Sequence, residues 1–536
     1  MNNADLIVSL LKAAGIARGY GVPSGNVLPL MEAMRAGGLP FVLTAHEGSA
    51  AFAADVTARM TGKPGLCIAT LGPGATNLTT GVGCAYLDRS PLLAITCTLN
   101  EAQLGRRLQM YIDHEALFRP ITKASLRLQG GAIAATVAEA LRIATSEPWG
   151  PVHLDLPEDV ALAPVSETVP AIAVPPTAAS RTPDAVGIAK AADCLRRARR
   201  PVAVIGMSAL RMRNPRLLVD FIARHRLPFA TTVMAKGLVD ESDPLALGCI
   251  ERACRKLQRR FLHEQADLIV ALGYDTVEVE YEAWTGSLPV LHVDVQGADA
   301  DPSVVLLHEV IGDLDASVSA LAAIDPLAHD WSDAGIAAHR AAFQAALRPV
   351  TSTLSPHQAI DAVRRALPRD GVLAFDVGAH THQIGSQWTA HAPRTFLITN
   401  GWSSMGFALP AAIAARLARP DLPVACIVGD GCFQMTCGEL AVARRERLAI
   451  PFVVLSDRWL SLIKVKQERR ALAHYGTVLE DESPAAPPAH YFGVPAVAAR
   501  TVAELDHALA RAFAADGPTV IEASVDPAHY SQTVFD

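Results

Sequence analysis

The segment Val424-Ala-Cys-Ile-Val-Gly-Asp-Gly-Cys432 joins a short apolar run, typical of a β-strand, to a helical pattern that begins at its end. A second apolar run, starting at Phe452, ends in another carboxylate, Asp457. Glycines let a backbone approach a ligand closely, and the N-terminus of the following helix offers free N–H groups to a phosphate. Two carboxylates at the ends of neighbouring strands can hold a Mg²⁺ or Ca²⁺ that bridges to a diphosphate. The two runs therefore predict a site for a metal-bound diphosphate.

Short Val/Ile/Leu runs alternate with Ala-rich helical patterns along the whole chain, which is typical of parallel α/β sheets. The Pro- and Thr-rich stretch 163–183 interrupts this alternation and predicts a linker, and a second interruption lies around 325–356. We therefore predict an α/β chain of three doubly wound parallel-sheet domains, at residues 1–165, 184–325 and 355–536.

The outer two domains repeat one order of elements. Residues 50–84 predict a helix, a turn, a strand, the turn Gly72-Pro-Gly74 and a second helix. Residues 407–440 repeat this order around Gly429-Asp-Gly431. Such turns at the carboxyl ends of strands are where open α/β sheets bind ligands. Only the second turn has a carboxylate, so we expect the third domain to hold metal and diphosphate and the first domain to hold the rest of the ligand.

Composition excludes several classes of function. The 536 residues are 50% hydrophobic and 19% charged, which is typical of a soluble enzyme and not of a disordered or fibrous chain. The net charge of -7 argues against nucleic acid as a partner. No apolar stretch predicts a membrane span, and the N-terminus lacks the features of a signal peptide. Nine cysteines without a CxxC pair predict reduced thiols and a cytoplasmic location.

Five ordered motifs resemble those of thiamin diphosphate-dependent enzymes, and most closely those of the acetolactate synthase-like branch. The Gly-Asp-Gly segment matches the diphosphate motif of that family, and the resemblance covers nearly the whole chain. The other four motifs are Gly21-Val-Pro-Ser-Gly-Asn26, the segment 41–55 around Glu47, Leu71-Gly-Pro-Gly-Ala-Thr-Asn77 and Trp402-Ser-Ser-Met-Gly-Phe-Ala-Leu-Pro410. The resemblance implies thiamin diphosphate and Mg²⁺ as cofactors. It also implies a homodimer or homotetramer whose active sites lie between chains.

The resemblance implies roles for single residues. Glu47 matches the glutamate that hydrogen-bonds to the aminopyrimidine ring and so promotes loss of the thiazolium C2 proton; a carboxylate favoured at a helix start is the alternative. Met405 matches the apolar residue beneath the cofactor, with an ordinary core methionine as the alternative. The implied metal ligands are Asp430, Asp457 and the backbone carbonyl of Trp459. The cofactor-binding set also includes Pro23, Thr70, Asn77, Gly378, Ala379, His380, Ser404, Gly429, Gly431, Cys432 and Phe433.

Departures from the family pattern bear on the metal and the substrate. The family usually places Asn where this chain has Asp457, so negative charge is added beside the diphosphate. Acetolactate synthases have Phe-Gln-Glu in the substrate pocket, where this chain aligns Gln109-Met110-Tyr111, so we expect an altered acyl donor. Lys123 keeps the family's basic residue, either as a carboxylate contact or as a surface lysine. The substrate candidates are Gly25, Asn26, Met110 and Lys123.

The middle domain has three strand ends in a Rossmann-like rhythm, and in several relatives it binds FAD. Here no GxGxxG follows its first strand. The synthases' Met-His-Gly and Arg-Phe-Asp-Asp segments are replaced by Ile250-Glu-Arg-Ala253 and Tyr274-Asp-Thr-Val277. We therefore expect no FAD.

The leading hypothesis is decarboxylation of a 2-oxo acid with transfer of the acyl unit to an acceptor. The alternatives are a simple decarboxylase or a C–C lyase, similar to benzoylformate decarboxylase or benzaldehyde lyase, and a paralogue that binds the cofactor without catalysis. Retention of Glu47, Asp430 and Met405 argues against the paralogue. A nucleotide sensor built on the middle domain would not need the duplicated outer units. Decarboxylase and carboligase stay open, because pocket shape and proton access decide between them.

Overall fold

The computed structural model describes residues 1–167, 181–250, 252–479 and 486–534. Its strands form three sheets of six, six and seven strands. Each sheet lies within one of the three predicted spans, and this arrangement confirms the predicted α/β class. The predicted linker residues 168–180 lie outside the described part of the chain. Within that part, no helix is long and apolar enough to cross a membrane.

The first domain is a parallel sheet with helices on both faces. Its helices are α1 (Asn3–Ala13), α2 (Leu28–Gly37), α3 (Glu47–Thr61), α4 (Pro73–Leu87), α5 (His114–Phe118), α6 (Ile133–Thr145) and α7 (Glu158–Leu162). Its strands are β1 (Gly19–Gly21), β2 (Phe41–Leu43), β3 (Gly65–Thr70), β4 (Leu92–Thr98), β5 (Ala124–Arg127) and β6 (Pro151–Pro157). The strand order is β2-β1-β3-β4-β6-β5. The central strands are apolar and fully buried because helices cover both faces of the sheet.

The middle domain has the strand order of a Rossmann fold. Its helices are α8 (Ala185–Arg197), α9 (Arg216–His225), α10 (Arg255–Gln265), α11 (Leu314–Ala322) and α12 (Asp333–Ala346). Its strands are β7 (Pro201–Ile205), β8 (Phe229–Thr231), β9 (Ala246–Cys249), β10 (Leu268–Leu272), β11 (Val290–Asp294) and β12 (Leu306–Ile311). They are ordered β12-β11-β10-β7-β8-β9 and are parallel throughout.

The third domain repeats the topology of the first. Its helices are α13 (Pro356–Ala366), α14 (Ala379–Gln387), α15 (Ala408–Ala418), α16 (Asp430–Thr436), α17 (Leu440–Arg445), α18 (Ser461–Arg469), α19 (Val502–Phe513) and α20 (Tyr530–Thr533). Its strands are β13 (Val372–Phe375), β14 (Phe396–Leu397), β15 (Val424–Gly429), β16 (Pro451–Ser456), β17 (His490–Tyr491), β18 (Val494–Ala499) and β19 (Thr519–Ser524). The order β14-β13-β15-β16-β19-β18 matches that of the first sheet strand for strand, and β17 adds an antiparallel edge. The predicted duplication is therefore present.

The first and third domains share one hydrophobic core. Helix α3 packs along α15, and the rings of Phe52 and Phe407 meet edge to face with their centroids 5.5 Å apart. Both helices are rich in Ala, which lets their backbones approach closely and leaves almost every residue at the contact buried. The two repeated units of one chain are thus joined over a wide apolar surface.

A buried ion-pair network reinforces this junction. Arg59 on α3 donates to Asp55 Oδ2 at 2.5 Å, to Asp88 Oδ2 at 2.8 Å and to the carbonyl of Ile398 at 2.6 Å. Asp88 in turn accepts the backbone N–H of Gly401 at 2.7 Å. One guanidinium therefore lies between two buried carboxylates, binds both, and ties the first domain to the loop that precedes α15.

Arg59→Met should destabilise the protein by about 3–5 kcal/mol, because removing one member of a buried network leaves Asp55 and Asp88 buried without a cationic partner. Urea unfolding followed by circular dichroism measures the loss. Arg35→Met is the matched control, since Arg35 forms a similar ion pair with Glu32 whose side chains are 74% and 63% exposed. A much smaller loss is expected there. Equal losses in the two variants would contradict the assigned role of Arg59.

Candidate active site

A cavity of the third domain lies at the carboxyl ends of β13 and β15. These strands are paired side by side, and the connections that leave them turn in opposite directions. This topological switch point is where open α/β sheets bind ligands. The cavity has a volume of about 210 Å³. Its lining residues are Val377, Gly378, Ala379, His380, Ser403, Met405, Gly429, Asp430, Gly431, Cys432, Leu455, Asp457, Trp459, Leu460, Ser461, Leu462, Ile463 and Tyr530.

Three glycines form the floor of the cavity. A Cβ on Gly378 or on Gly429 would lie 2.8 or 2.9 Å from the ring of His380, and one on Gly431 would lie 2.7 Å from Leu460. Gly378 directly precedes α14, Gly429 directly precedes α16, and Gly431 is the second residue of α16. The residue before each helix makes no side-chain hydrogen bond to the first N–H groups of that helix. Two helix N-termini therefore converge on one space, with the Gly431 N–H of α16 donating to Asp430 Oδ1 at 2.9 Å, and this arrangement suits a phosphate group.

His380 supplies a neutral donor to the same space. It is buried, and burial lowers its pKa to about 4. Its Nε2 atom has no hydrogen-bond partner among the described residues. A buried polar atom normally has a partner, so the orphaned nitrogen marks a ligand position. The glycine floor, the N-termini of α14 and α16 and the ring of His380 together fit the diphosphate that the sequence predicts for this site.

Asp430 and Asp457 lie at the ends of the adjacent strands β15 and β16. Asp430 Oδ2 accepts the backbone N–H groups of Asp457 and Arg458 at 3.1 and 2.7 Å. Asp457 accepts the N–H of Trp459 at 2.9 Å and the hydroxyl of Ser461 at 2.7 Å. Burial and the charge of Asp457 raise the pKa of Asp430 to about 7, and burial raises that of Asp457 to about 6. Both carboxylates would thus gain from a nearby cation, and their oxygens suit Mg²⁺.

Asp376 joins two loops of the cavity and was not among the residues that the sequence prediction named. It directly follows β13, is fully buried, and accepts the N–H groups of Val377 and Gly406 through Oδ1 and of Ala408 through Oδ2, at 2.8–3.0 Å. It therefore joins the loop before α14 to the loop that carries Met405. The sequence does place this carboxylate at the end of an apolar run and two residues before Gly378, and that position could have indicated its role.

The Met405 loop closes one side of the cavity. Met405 Cε lies 3.4 Å from the position of a Cβ on Gly431, so its side chain stands over the glycine turn. Ser404 Oγ donates to the carbonyl of Met405 at 3.0 Å and meets Thr80 Oγ1 at 3.4 Å. Cys432 also lines the cavity and donates its thiol to the carbonyl of Val377 at 3.0 Å. Phe433 packs edge to face on Tyr491, with ring centroids 5.1 Å apart.

The predicted residues of the first domain gather separately, around the turn after β3. Asn77 Nδ2 donates to Glu47 Oε2 at 3.0 Å, and Glu47 Oε1 lies 3.4 Å from the position of a Cβ on Gly74. Thr70 Oγ1 is buried without a partner among the described residues. Glu47 is the first residue of α3 and is half-buried, and His46 caps that helix by accepting the N–H of Gly48 at 3.0 Å. Among the described residues that line the third-domain cavity, none comes from this cluster.

A buried histidine–aspartate pair, which the sequence prediction also missed, supports the same turn. His114 Nε2 accepts the N–H of Gly72 at 3.2 Å, and its Nδ1 lies 2.8 Å from Asp155 Oδ1. Thr96 Oγ1 donates to Asp155 at 2.9 Å. The backbone φ of Gly72 is +59°, and the carbonyl of Met110 would lie 2.3 Å from a Cβ there. The segment from Met110 to His114 therefore covers the turn closely.

The substrate candidates are dispersed over the first domain. Met110 stands beside the Gly72 turn with 40% of its side chain exposed. Asn26 Nδ2 donates to Glu158 Oε2 at 2.7 Å, in a loop whose Pro23 and Gly25 are exposed. Lys123 Nζ contacts the carbonyls of Ile143 and Ser146 at 2.6 Å and Ser146 Oγ at 3.1 Å, and burial lowers its pKa to about 8. These contacts use all three ammonium donors, so the role of Lys123 at a substrate stays a prediction without support from its contacts.

In the middle domain, a Rossmann fold would bind a nucleotide at the carboxyl end of β7. Here carboxylates of the chain itself accept hydrogen bonds from the residues at that position. Glu278 Oε2 accepts the N–H of Met207 at 2.7 Å, just after β7, and Asp294 Oδ2 accepts the hydroxyl of Ser208 at 3.1 Å. A Cβ on Gly206 would lie 2.5 Å from the carbonyl of Gly273, so the crevice between β7 and β10 is narrow. These contacts favour the prediction that FAD does not bind.

Comparison with known proteins places these features in a family. Models of the thiamine pyrophosphate enzymes match the chain in three parts: the N-terminal binding domain at residues 1–117, the central domain at 188–321 and the C-terminal binding domain at 376–523. The chain is 31% identical to the acetolactate synthase isozyme 2 large subunit of Escherichia coli, over 98% of this chain and 96% of that protein. It is 28% identical to a probable acetolactate synthase large subunit of Methanococcus aeolicus, over 98% and 92%. It is 34% identical to a probable 2-ketoarginine decarboxylase of Pseudomonas aeruginosa, over 84% and 80%.

Proposed function

Because the chain belongs to the thiamine pyrophosphate enzyme family, whose members form or cleave carbon–carbon bonds, we propose that it decarboxylates a 2-oxo acid and transfers the acyl unit to a carbonyl acceptor. Thiamin diphosphate and Mg²⁺ are the cofactors of this proposal. The observation that supports it best is the third-domain cavity, where two helix N-termini, a neutral His380 and the carboxylates of Asp430 and Asp457 converge. A phosphate-binding cavity without the two carboxylates would fit many ligands.

Each group in the two clusters has a proposed task. The cofactor, when bound, supplies a nucleophilic carbon and an electron sink for decarboxylation. Asp430, Asp457 and the carbonyl of Trp459 hold the metal, and His380 and the helix ends bind the diphosphate. Met405 supports the cofactor from below. Glu47 exchanges a proton with the aminopyrimidine ring, and Asn77 holds its carboxylate in place through the 3.0 Å hydrogen bond.

Transfer to an acceptor is the first choice because the acetolactate synthase relatives align with this chain over nearly their whole length. A simple decarboxylase is the second candidate. It is supported by the 34% identity to the probable 2-ketoarginine decarboxylase. The two outcomes differ in whether a proton or a second carbonyl compound takes the acyl carbon.

Product analysis distinguishes these outcomes. The purified protein is supplied with thiamin diphosphate, Mg²⁺ and a panel of 2-oxo acids, with and without aldehyde or 2-oxo acid acceptors. A hydroxyketone or acetohydroxy acid product is expected. Release of aldehyde alone would favour the decarboxylase, and no carbon dioxide from any donor would contradict both. The panel includes 2-oxo acids with short, branched, aromatic and cationic side chains, because the pocket segment around Met110 departs from the synthase pattern and does not identify the donor.

We also propose that the active site forms between two copies of the chain, with Glu47 of one copy facing Asp430 of the other. The cavity around Asp430 lacks first-domain residues within the described chain, although Glu47 and Met405 belong to one reaction in this proposal. Both domains have exposed apolar side chains, which suit a contact with a second copy. They are Leu28, Leu43, Met110 and Ile112 in the first domain and Trp402, Met435 and Ile463 in the third. A dimer is the minimum assembly, and a tetramer is compatible with it.

Mixing two inactive variants tests this arrangement. Glu47→Gln and Asp430→Ala chains, unfolded together and refolded, should recover about a quarter of the wild-type activity, since half of random dimers are hybrids with one intact site of two. Each variant refolded alone is the control. Sites formed within one chain would give no recovery, because every chain would keep its own defect.

A cytoplasmic location belongs to the same proposal. It is supported by the nine cysteines, which include no CxxC pair. Seven of them are buried, and burial raises the pKa of Cys67 and Cys97. They thus behave as packing residues.

A further inference from the structure

The cation position of this chain has two carboxylates, where the family pattern has one carboxylate and one amide. Asp430 begins α16 after β15, and Asp457 follows β16; the pairing of Gly429 with Leu455 sets these strand ends side by side. The backbone N–H groups of Asp457 and Arg458 donate to Asp430 Oδ2. The loop that carries the second carboxylate is therefore fastened to the first.

Both side chains are held in place by the protein itself. Asp430 Oδ1 accepts the N–H of Gly431 at 2.9 Å, and Asp457 accepts from Trp459 N–H and Ser461 Oγ. An ionised carboxylate has about four lone-pair positions, so these bonds leave acceptor capacity on both groups. A cation would meet oriented ligands and would not have to order them on binding. Orientation of this kind is independent of the diphosphate.

The charge of Asp430 and Asp457 determines whether they can bind a cation without the diphosphate. A single carboxylate neutralises half of a divalent cation, so the usual site depends on the diphosphate for the remainder. Two carboxylates neutralise the cation completely, and the affinity of oxygen sites for hard cations rises with the number of charged ligands. We propose, on the basis of the function proposed above, that Asp457 lets this chain bind its divalent cation before thiamin diphosphate and without it.

The competing use of Asp457 is to attract nearby basic side chains. Lys464 Nζ lies 4.2 Å from the centroid of the Trp459 ring, and it and Arg458 are close enough to act on the carboxylate. If these cations took up the extra charge, Asp457 would add nothing to metal binding. The two uses predict different results for one substitution, Asp457→Asn.

The test measures Mn²⁺ binding to the full-length protein, freed of cofactor, by loss of the electron paramagnetic resonance signal of free Mn²⁺. The wild type should bind one Mn²⁺ per chain without thiamin diphosphate. Asp457→Asn should bind it at least about tenfold more weakly, the lower end for changes at a metal site, and should regain affinity when thiamin diphosphate is added. Asp421→Asn is the matched control, because it removes one exposed carboxylate of the same domain, which is paired with Arg419. It should bind like the wild type, and circular dichroism verifies the fold of each variant.

Two results would overturn the proposal and leave the proposed function intact. One is Mn²⁺ binding by the wild type only together with thiamin diphosphate, and the other is equal cofactor-free affinity in the wild type and Asp457→Asn. A wild type that binds no Mn²⁺ even with thiamin diphosphate would overturn the proposed function as well.

Discussion

Asp430→Ala is expected to abolish metal-dependent cofactor binding and, with it, activity. The cation loses a direct carboxylate ligand, and the charge of the diphosphate goes without its main neutralisation. Loss of an outer partner of a metal ligand already costs 10–100-fold in affinity, so loss of the ligand itself should raise the dissociation constant of thiamin diphosphate by at least about 100-fold. Equilibrium titration of the apo-protein with thiamin diphosphate at fixed Mg²⁺ measures the change. The side chain also fastens the 457–458 backbone, so thermal unfolding is recorded in parallel.

Asp457→Asn is the matched variant for this experiment. It keeps the shape of the side chain and restores the ligand that the family pattern usually has. At saturating cofactor and Mg²⁺ it should retain activity, even though its metal affinity without cofactor falls. If Asp457→Asn destroyed cofactor binding while Asp430→Ala did not, the metal ligands would be wrongly assigned.

Glu47→Gln should lower turnover by at least ~10²-fold, the lower end for a positioned proton-transfer group, and leave cofactor binding nearly unchanged. The amide has a similar shape and can still hydrogen-bond to the aminopyrimidine ring and to Asn77. It cannot exchange a proton with the ring as a carboxylate does. The loss should therefore appear in kcat, with a smaller change in KM.

Exchange of the thiazolium C2 proton for deuterium, followed by quenched NMR, measures the affected step directly. Asn77→Ala is a useful companion, because it removes the 3.0 Å hydrogen bond to Glu47 Oε2 and leaves the carboxylate. It should slow exchange less than Glu47→Gln. An unchanged exchange rate in Glu47→Gln would transfer the proton-exchange role to another group. His46 would be tested first, although its Nδ1 is already used to cap α3.

The parts of the fold that could be predicted are those fixed by local sequence. The apolar run 424–428 is a buried strand, and Gly429-Asp-Gly431 ends it, because a short run of Val, Ile and Cys followed by glycine suits a strand in a parallel sheet. The two glycine turns fall at equivalent strands of the duplicated sheets, since the repeat preserves both order and spacing. The proposed diphosphate position depends on backbone N–H groups near one turn, so it too rests on local sequence.

The contacts that escaped prediction join residues far apart in the chain. Asp376 accepts N–H groups 30 and 32 residues away, and His114 meets Asp155 across 41 positions. No periodic pattern in the sequence predicts these two pairings, because strand order and loop packing bring the residues together. Lys123 is a related case: its sequence context indicated either a carboxylate contact or a surface lysine, and its contacts with carbonyls at the end of α6 were not predicted.

The core shared by α3 and α15 limits the ways in which a ligand can enter and leave. Packing of Phe52 on Phe407, and the link from Arg59 through Asp88 to Gly401, oppose separation of the first and third domains of one chain. These contacts disfavour a hinge between the two domains as an entry route. With the site between two chains, as proposed, exchange of the cofactor becomes coupled to separation of the subunits. The fraction of chains open to exchange then falls as protein concentration rises, by mass action.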